Sequence, residues 1–250
     1  MSGHTSFKRI ATSFKLLGAS ISVYWITMTR RCIAALLCPL FLLGCGKPSP
    51  KEAAENFKIG YIYERGIGVA KDATEAFKWY RKAADAGLAE AQYNLGVLYY
   101  NGTGVARSAA EAARWFELAA NQNLSEAQFN IGNAYRIGEG VTRNYASALS
   151  WYRKAALLGY APAQFNLAAM HENGEGTTQN YAEAYKWLRL AEMFGYTPAT
   201  KYLKNFAHDL RPGEREKALQ AAEELFLSIP KPVVPQLLTG SVLQGITENR

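Results

Sequence analysis

Trp79, Trp115, Trp151 and Trp187 stand 36 residues apart, and the residues around them recur at the same spacing. A fixed period of roughly 20 to 50 residues marks units that cannot bury their apolar faces alone and so stack on their neighbours. Function in such a chain belongs to a surface that runs along the stack. The segments 56–87, 92–123, 128–159 and 164–195 share one skeleton. In the second it reads Gln92, Tyr93, Asn94, Leu95, Gly96, Tyr99, Gly102-Thr103-Gly104-Val105, Ser108, Glu111-Ala112, Trp115-Phe116 and Ala119-Ala120.

The pattern predicts two amphipathic helices per copy. Leu95, Gly96 and Tyr99 fall on one face of the first, and the small residue at 96, matched by Gly60, Gly132 and Ala168, allows a close helix crossing. Gly66, Gly102, Gly138 and Gly174 follow that helix and suit the left-handed C-cap. Asp72, Ser108, Asn144 and Asn180 are N-cap residues for the second helix, and Glu75, Glu111 and Glu183 three positions later predict a capping box in three copies; Ser147 stands there in the third. Ala76, Trp79, Tyr80, Ala83 and their counterparts form the stripe expected to pack on the first helix, and Pro162 and Pro198 sit where a missing N–H is harmless.

The ends differ from the array. The first 45 residues hold Lys8, Arg9, Lys15, Arg30 and Arg31 and no Asp or Glu, so five of the seven formal positive charges lie in this leader. The remainder is near neutral, which argues against a phosphate-backbone binder and so against a nucleic-acid partner. Arg30-Arg31 followed by the apolar run 32–43 has the order of a secretory signal too short to span a bilayer, with Met28 as the expected start. Leu42-Leu43-Gly44-Cys45 resembles the lipobox of bacterial lipoproteins, although Leu43 stands where a smaller residue is more usual. The resemblance implies a diacylglyceryl group on Cys45 and an exported, lipid-anchored protein of the cell envelope. Its expected place is periplasm-facing, in a Gram-negative cell on the outer rather than the inner membrane. Cys32 and Cys38 would leave with the signal, so the mature chain is expected to form no internal disulfide.

The order of motifs resembles the tetratricopeptide pattern, with Leu95, Gly96 and Tyr99 followed by Ala112 and Phe116, but Gln92 replaces its tryptophan and the inter-helix loop is longer. It is more similar to the Sel-one-like repeat family, through Ala91, Gln92, Asn94, Leu95 and Gly96, the Gly102 to Val105 turn, and Glu111, Ala112, Trp115, Ala119 and Ala120. That resemblance implies an all-α fold, a right-handed α/α solenoid of 36-residue helix-turn-helix repeats forming a tetratricopeptide-like superhelix. The expected plan is a leader at 1–44, the lipidated cysteine and a tether at 45–52, and four repeats over 53–198, about 53–88, 89–124, 125–160 and 161–196. Degenerate capping helices follow at 199–228, then a proline-rich extended tail at 229–250.

Catalytic motifs find no support. The Gly-x-Gly turns lack P-loop and dinucleotide spacing. His171-Glu172 has no second histidine in reach, and His171 occupies the slot of Tyr63, Tyr99 and Tyr135, which favours a packed ring. Ser228 and Lys231 have S-x-x-K spacing, but Pro230 and Pro232 prevent the helix it needs. No nucleophile, base and oxyanion set emerges, so the expectation is a non-enzyme without cofactor or metal.

Families with this repeat commonly act as adaptors, which implies a scaffold binding another protein or peptide. The alternative is a carbohydrate-binding accessory lipoprotein in polysaccharide secretion or cell-wall maintenance, suited by the aromatic helices. Positions that build the fold must recur, whereas positions that contact a partner are free to differ. Two first-helix rows vary: Tyr61, Val97, Asn133 and Ala169, and one turn later Glu64, Tyr100, Arg136 and Glu172. The tetratricopeptide resemblance places them on the concave side as the partner-binding groove, with Tyr61, Tyr100 and Arg136 as expected anchors.

Overall fold

The computed structural model describes residues 49–206 and 210–230. The signal, Cys32, Cys38, Cys45, the tether at 46–48, His4, His208, Lys231 and the tail at 231–250 lie outside the described residues. Among the described residues there are ten helices and no strand. They are α1 (Pro50–Arg65), α2 (Ala73–Asp85), α3 (Ala89–Asn101), α4 (Ala109–Ala120), α5 (Ser125–Ile137), α6 (Tyr145–Leu157), α7 (Ala161–Asn173), α8 (Tyr181–Met193), α9 (Thr197–Phe206) and α10 (Pro212–Ser228). None of these helices is long and apolar enough to cross a membrane. In each of the first four pairs the helices pack on one another, and each second helix packs on the next first helix, so the chain is an all-α solenoid.

The tether expected over 45–52 gives way to helix earlier than the sequence pattern indicates. Ser49 caps α1 by accepting from the Glu52 N–H at 3.2 Å, and Pro50 follows at the helix start. These two residues move the boundary because a side-chain oxygen and a preset φ offset the cost of a frayed first turn.

Within a copy, the crossing depends on a matched pair of side chains. A Cβ at Gly60, Gly96 or Gly132 would lie 2.7 to 2.8 Å from the ring of Tyr80, Phe116 or Tyr152. In the fourth copy the first helix carries Ala168 and the second carries the narrower Leu188, both buried. The extra methyl on one helix is matched by a lost ring on the other.

The N-caps form as the residue types predict: Asp72 accepts from the Glu75 N–H at 3.0 Å, Ser108 from Glu111 at 3.3 Å, Asn144 from Ser147 at 3.0 Å and Asn180 from Glu183 at 3.0 Å. The capping boxes do not close. The N–H groups of Asp72, Ser108, Asn144 and Asn180 instead donate to the carbonyls of Tyr63, Tyr99, Tyr135 and His171, at 2.8 to 3.0 Å. With that donor already satisfied by the first helix, the glutamates turn outward to Lys78, Arg114 and Lys186.

Contacts between copies use residues that recur. Gly102, Gly138 and Gly174 are left-handed C-caps as expected, but the second glycine of each turn has a different task. A Cβ at Gly104 or Gly140 would lie 2.2 or 2.1 Å from the carbonyl oxygen of Ala73 or Ala109, at the start of the preceding copy's second helix. Gly68, in the first copy, has nothing within 4 Å. Gln92, Gln128 and Gln164 are buried and donate to the carbonyls of Ala84, Ala120 and Ala156 at 3.2, 3.1 and 3.0 Å, a second donor for last-turn carbonyls that already accept from the N–H groups of Gly87, Asn123 and Gly159. The tetratricopeptide tryptophan is thus replaced by a hydrogen bond, worth about 0.5 to 1.5 kcal/mol net.

The stack ends by a change of partner. α9 packs on α8 as a fifth first helix would, but α10 also packs on α8 instead of pairing with α9. Phe226 meets Phe194 edge to face at 5.1 Å, Arg215 donates to the Tyr185 hydroxyl at 3.2 Å, and Ala218 and Ile229 join the core of the fourth copy. Residues 207–211 contain no glycine, the residue that supplies the left-handed cap after the preceding first helices.

Candidate functional site

The two variable rows lie where first helices of consecutive copies face each other, and the floor of each junction is one second-helix residue. That floor reads Tyr80, Phe116, Tyr152 and Leu188. The hydroxyl alternates: present, absent, present, absent.

Where it is present, the hydroxyl is held by a hydrogen bond to a first-helix side chain. Tyr80 donates to the Glu64 carboxylate at 2.6 Å, and burial, reinforced by that carboxylate, pushes the phenol well above its ordinary range. Tyr152 donates to Asn133 Oδ1, which also accepts from Asn166 Nδ2 at 3.3 Å. Burial raises the Tyr152 phenol too, and the nearby Arg136 guanidinium opposes that rise. A hydroxyl in such a place must find a partner, because leaving it unpaired costs about 1 to 3 kcal/mol.

Where it is absent, the junction is open. A cavity of about 260 Å³ lies between α3 and α5 over Phe116, lined also by Val97, Tyr100, Asn130, Asn133 and Ile137. A second, of about 220 Å³, lies between α7 and α9 over Leu188, lined by Phe165, Ala169, Glu172 and Tyr202. Each has a carboxylate at its rim that is already engaged. Glu139 accepts from the Tyr100 hydroxyl at 3.2 Å and pairs with Arg107, whose guanidinium lies 5.7 Å from the Tyr100 ring centre. Glu172 accepts from the Tyr202 hydroxyl at 2.8 and 2.9 Å.

The eight sequence-predicted groove residues therefore divide. Val97, Tyr100 and Asn133 share the first cavity, and Ala169 and Glu172 the second. Glu64 is held by Tyr80, and Tyr61 lies beneath the Arg65 guanidinium, 5.4 Å from its ring centre. Arg136 is half-buried, its Nε is buried without a hydrogen-bond partner, and it takes part in none of the ion pairs among the described residues. His171 is a half-buried ring whose Nδ1 lacks a partner, and burial lowers its pKa. Among the described residues no three His, Cys, Asp or Glu side chains gather as a metal site.

Residues 56–88, 89–124, 125–160 and 161–193 each match the Sel1 repeat. The chain belongs to the Sel1 repeat family. Among solved structures it is similar to a protective antigen present in uropathogenic Escherichia coli strains and displaying an SLR fold, at 34% identity and a TM-score of 0.62. That match takes in 69% of this chain and 38% of the antigen, so this chain spans well under half of that protein. The Sel1 repeat protein from Oxalobacter formigenes matches at 34% identity and a TM-score of 0.60, over 69% of this chain and 72% of its own. Among curated proteins nothing matches. Sel1 repeat proteins are generally non-enzymatic protein-interaction scaffolds.

The floor residues Phe116 and Leu188, and Asn130, Glu139 and Tyr202 at the cavities, are not revealed by comparing the copies along the first helix. The signal is present in the second helices as Tyr, Phe, Tyr, Leu, a variation inside an otherwise recurrent apolar stripe.

Proposed function

We propose that this Sel1 repeat chain is a membrane-anchored scaffold of the bacterial cell envelope that holds a protein or peptide partner along the row of Tyr61, Glu64, Val97, Tyr100, Asn133, Arg136, Ala169 and Glu172. The observation that carries the reading is the open junction over Phe116, where three residues of that row line one apolar cavity. Packing to native density is the rule in helical interiors, so room left at a recurrent junction favours an incoming side chain. A sugar platform is less well supported, since Tyr100 is tied by Glu139 and covered on one side by Arg107. Export and the anchor rest on the lipobox-like Leu42 to Cys45.

Photo-crosslinking side chains placed one at a time at 61, 100 and 172, and as a control at the exposed Leu118 on α4, test the surface. Adducts with one protein are expected from the three row positions. Adducts from Leu118 alone would move the site to the second helices. Metabolic labelling with a fatty-acid analogue should mark the wild type and not Cys45→Ser; equal labelling would refute the anchor.

A further inference from the structure

We propose that the occupant of this row is an extended segment of a partner protein carrying two apolar side chains with a carboxylate between them, an inference that rests on the groove reading above. The two cavities lie two repeats apart, one over Phe116 and one over Leu188. At about 260 and 220 Å³ each is smaller than the pockets of roughly 300 to 1,000 Å³ that enclose drug-sized ligands or cofactors, so each suits one side chain: an apolar one over Phe116, and over Leu188 one whose apolar body meets Phe165 and Ala169 beside the polar wall of Glu172 and Asn173.

The junction between them supplies the third contact. It is closed to a side chain by Tyr152, Asn133 and Asn166. What it presents instead is Arg136, one turn after Asn133 on α5, near the Tyr152 hydroxyl and carrying an Nε with no partner. Glu175 lies close enough to act on Tyr152 but forms no ion pair with Arg136. The cavity-rim carboxylates Glu139 and Glu172 are engaged by Arg107, Tyr100 and Tyr202. Glu64 and Glu172 keep their charge but have their oxygens occupied by the hydroxyls of Tyr80 and Tyr202, so Arg136, the row's one cation, is the charged group left with an unpartnered donor, and a planar five-donor fork of that kind is matched by a carboxylate. Neighbouring helices pack about 8 to 10 Å apart and an extended chain advances about 3.3 Å per residue, which sets the acid about three residues from each apolar anchor.

Panning phage-displayed random dodecapeptides on the full chain tests the chemistry without a known partner. The expected consensus has Asp or Glu flanked on both sides, about three positions away, by apolar residues. The dominant peptide, made synthetically and followed by fluorescence anisotropy, should bind Arg136→Gln about tenfold more weakly, as loss of a buried charge partner does. That difference should vanish for a peptide whose acid is replaced by its amide. Arg136→Lys, which keeps the charge, should recover part of the affinity, and Val97→Phe and Ala169→Leu should each weaken binding by filling a cavity. Each variant is compared at an unchanged melting temperature; for a variant that melts early, competition of the wild-type complex by the amide peptide measures the same contribution of the acid. Binding lost in Val97→Phe but indifferent to Arg136→Gln, or a consensus without acid, overturns this inference and leaves the groove reading standing. Binding indifferent to all of these changes, or no enrichment, overturns both. Enrichment blocked by self-association of the chain or by residues 231–250 would assign the row to an internal occupant and overturn the inference.

Discussion

The junctions floored by Tyr80 and Tyr152 and those floored by Phe116 and Leu188 use equivalent helices, yet in the first two the floor is hydrogen-bonded to a first-helix side chain, while over the other two lies a cavity. One hydroxyl separates Tyr152, bonded to Asn133, from Phe116, which faces a cavity. A repeat protein can therefore set where its surface accepts a side chain without altering the skeleton that stacks the copies. The stacking residues, Gly104 and Gly140 against the preceding helix and Gln92, Gln128 and Gln164 on its last carbonyls, are indifferent to which kind of junction they join.

The largest expected effect breaks the packing that both kinds share. Gly132→Ala should destabilise the chain by about 1 to 3 kcal/mol, because its methyl would enter the Tyr152 ring. Adding Tyr152→Leu, which reproduces the Ala168 and Leu188 pair, should cost less than the sum of the two single changes in denaturant midpoints. Full additivity would mean that the pair is not matched.

Next in size is the hydroxyl itself. Tyr152→Phe should cost about 0.5 to 1.5 kcal/mol by removing the bond to Asn133, whereas Phe116→Tyr should change stability by less than about 0.5 kcal/mol. Equal effects would show that the two junctions do not differ in the way described.

The smallest effect is one of pH. His171 fills the slot that Tyr63, Tyr99 and Tyr135 hold elsewhere, and burial lowers its folded pKa below the ordinary 6.5. A histidine held neutral in this way contributes its full stability above the unfolded pKa, and that contribution is lost as pH falls below it. The melting temperature should therefore decline more steeply below about pH 6.5 in the wild type than in His171→Tyr. Parallel profiles would remove His171 from the account.

The solenoid was legible because Trp79 to Trp187 and the capping residues recur, and every copy repeats the same local chemistry. The Asn144 and Asn180 caps could be placed to the residue. The capping boxes could not, since whether Glu75 reaches back depends on the Tyr63 carbonyl, which approaches only after the turn has folded. The tasks of Gly104 and Gln128 were hidden for the same reason: both are contacts with the preceding copy, and no local pattern reports them. α10 was legible as a helix, but its place on α8 follows from which apolar face is left uncovered. Of the groove, the variable rows on the first helices were legible, while the cavity floor lay on the second helix and required both helices in register.

The most direct measurement transplants a closed junction into an open one. Phe116→Tyr with Tyr100→Glu places in the second copy the pair formed by Tyr80 and Glu64 in the first. A crosslinker at the exposed Ile137, which lines the same cavity, then reports whether the partner still enters. Loss of its adduct at an unchanged melting temperature is the predicted result; an undiminished adduct would contradict the claim that open junctions receive the partner.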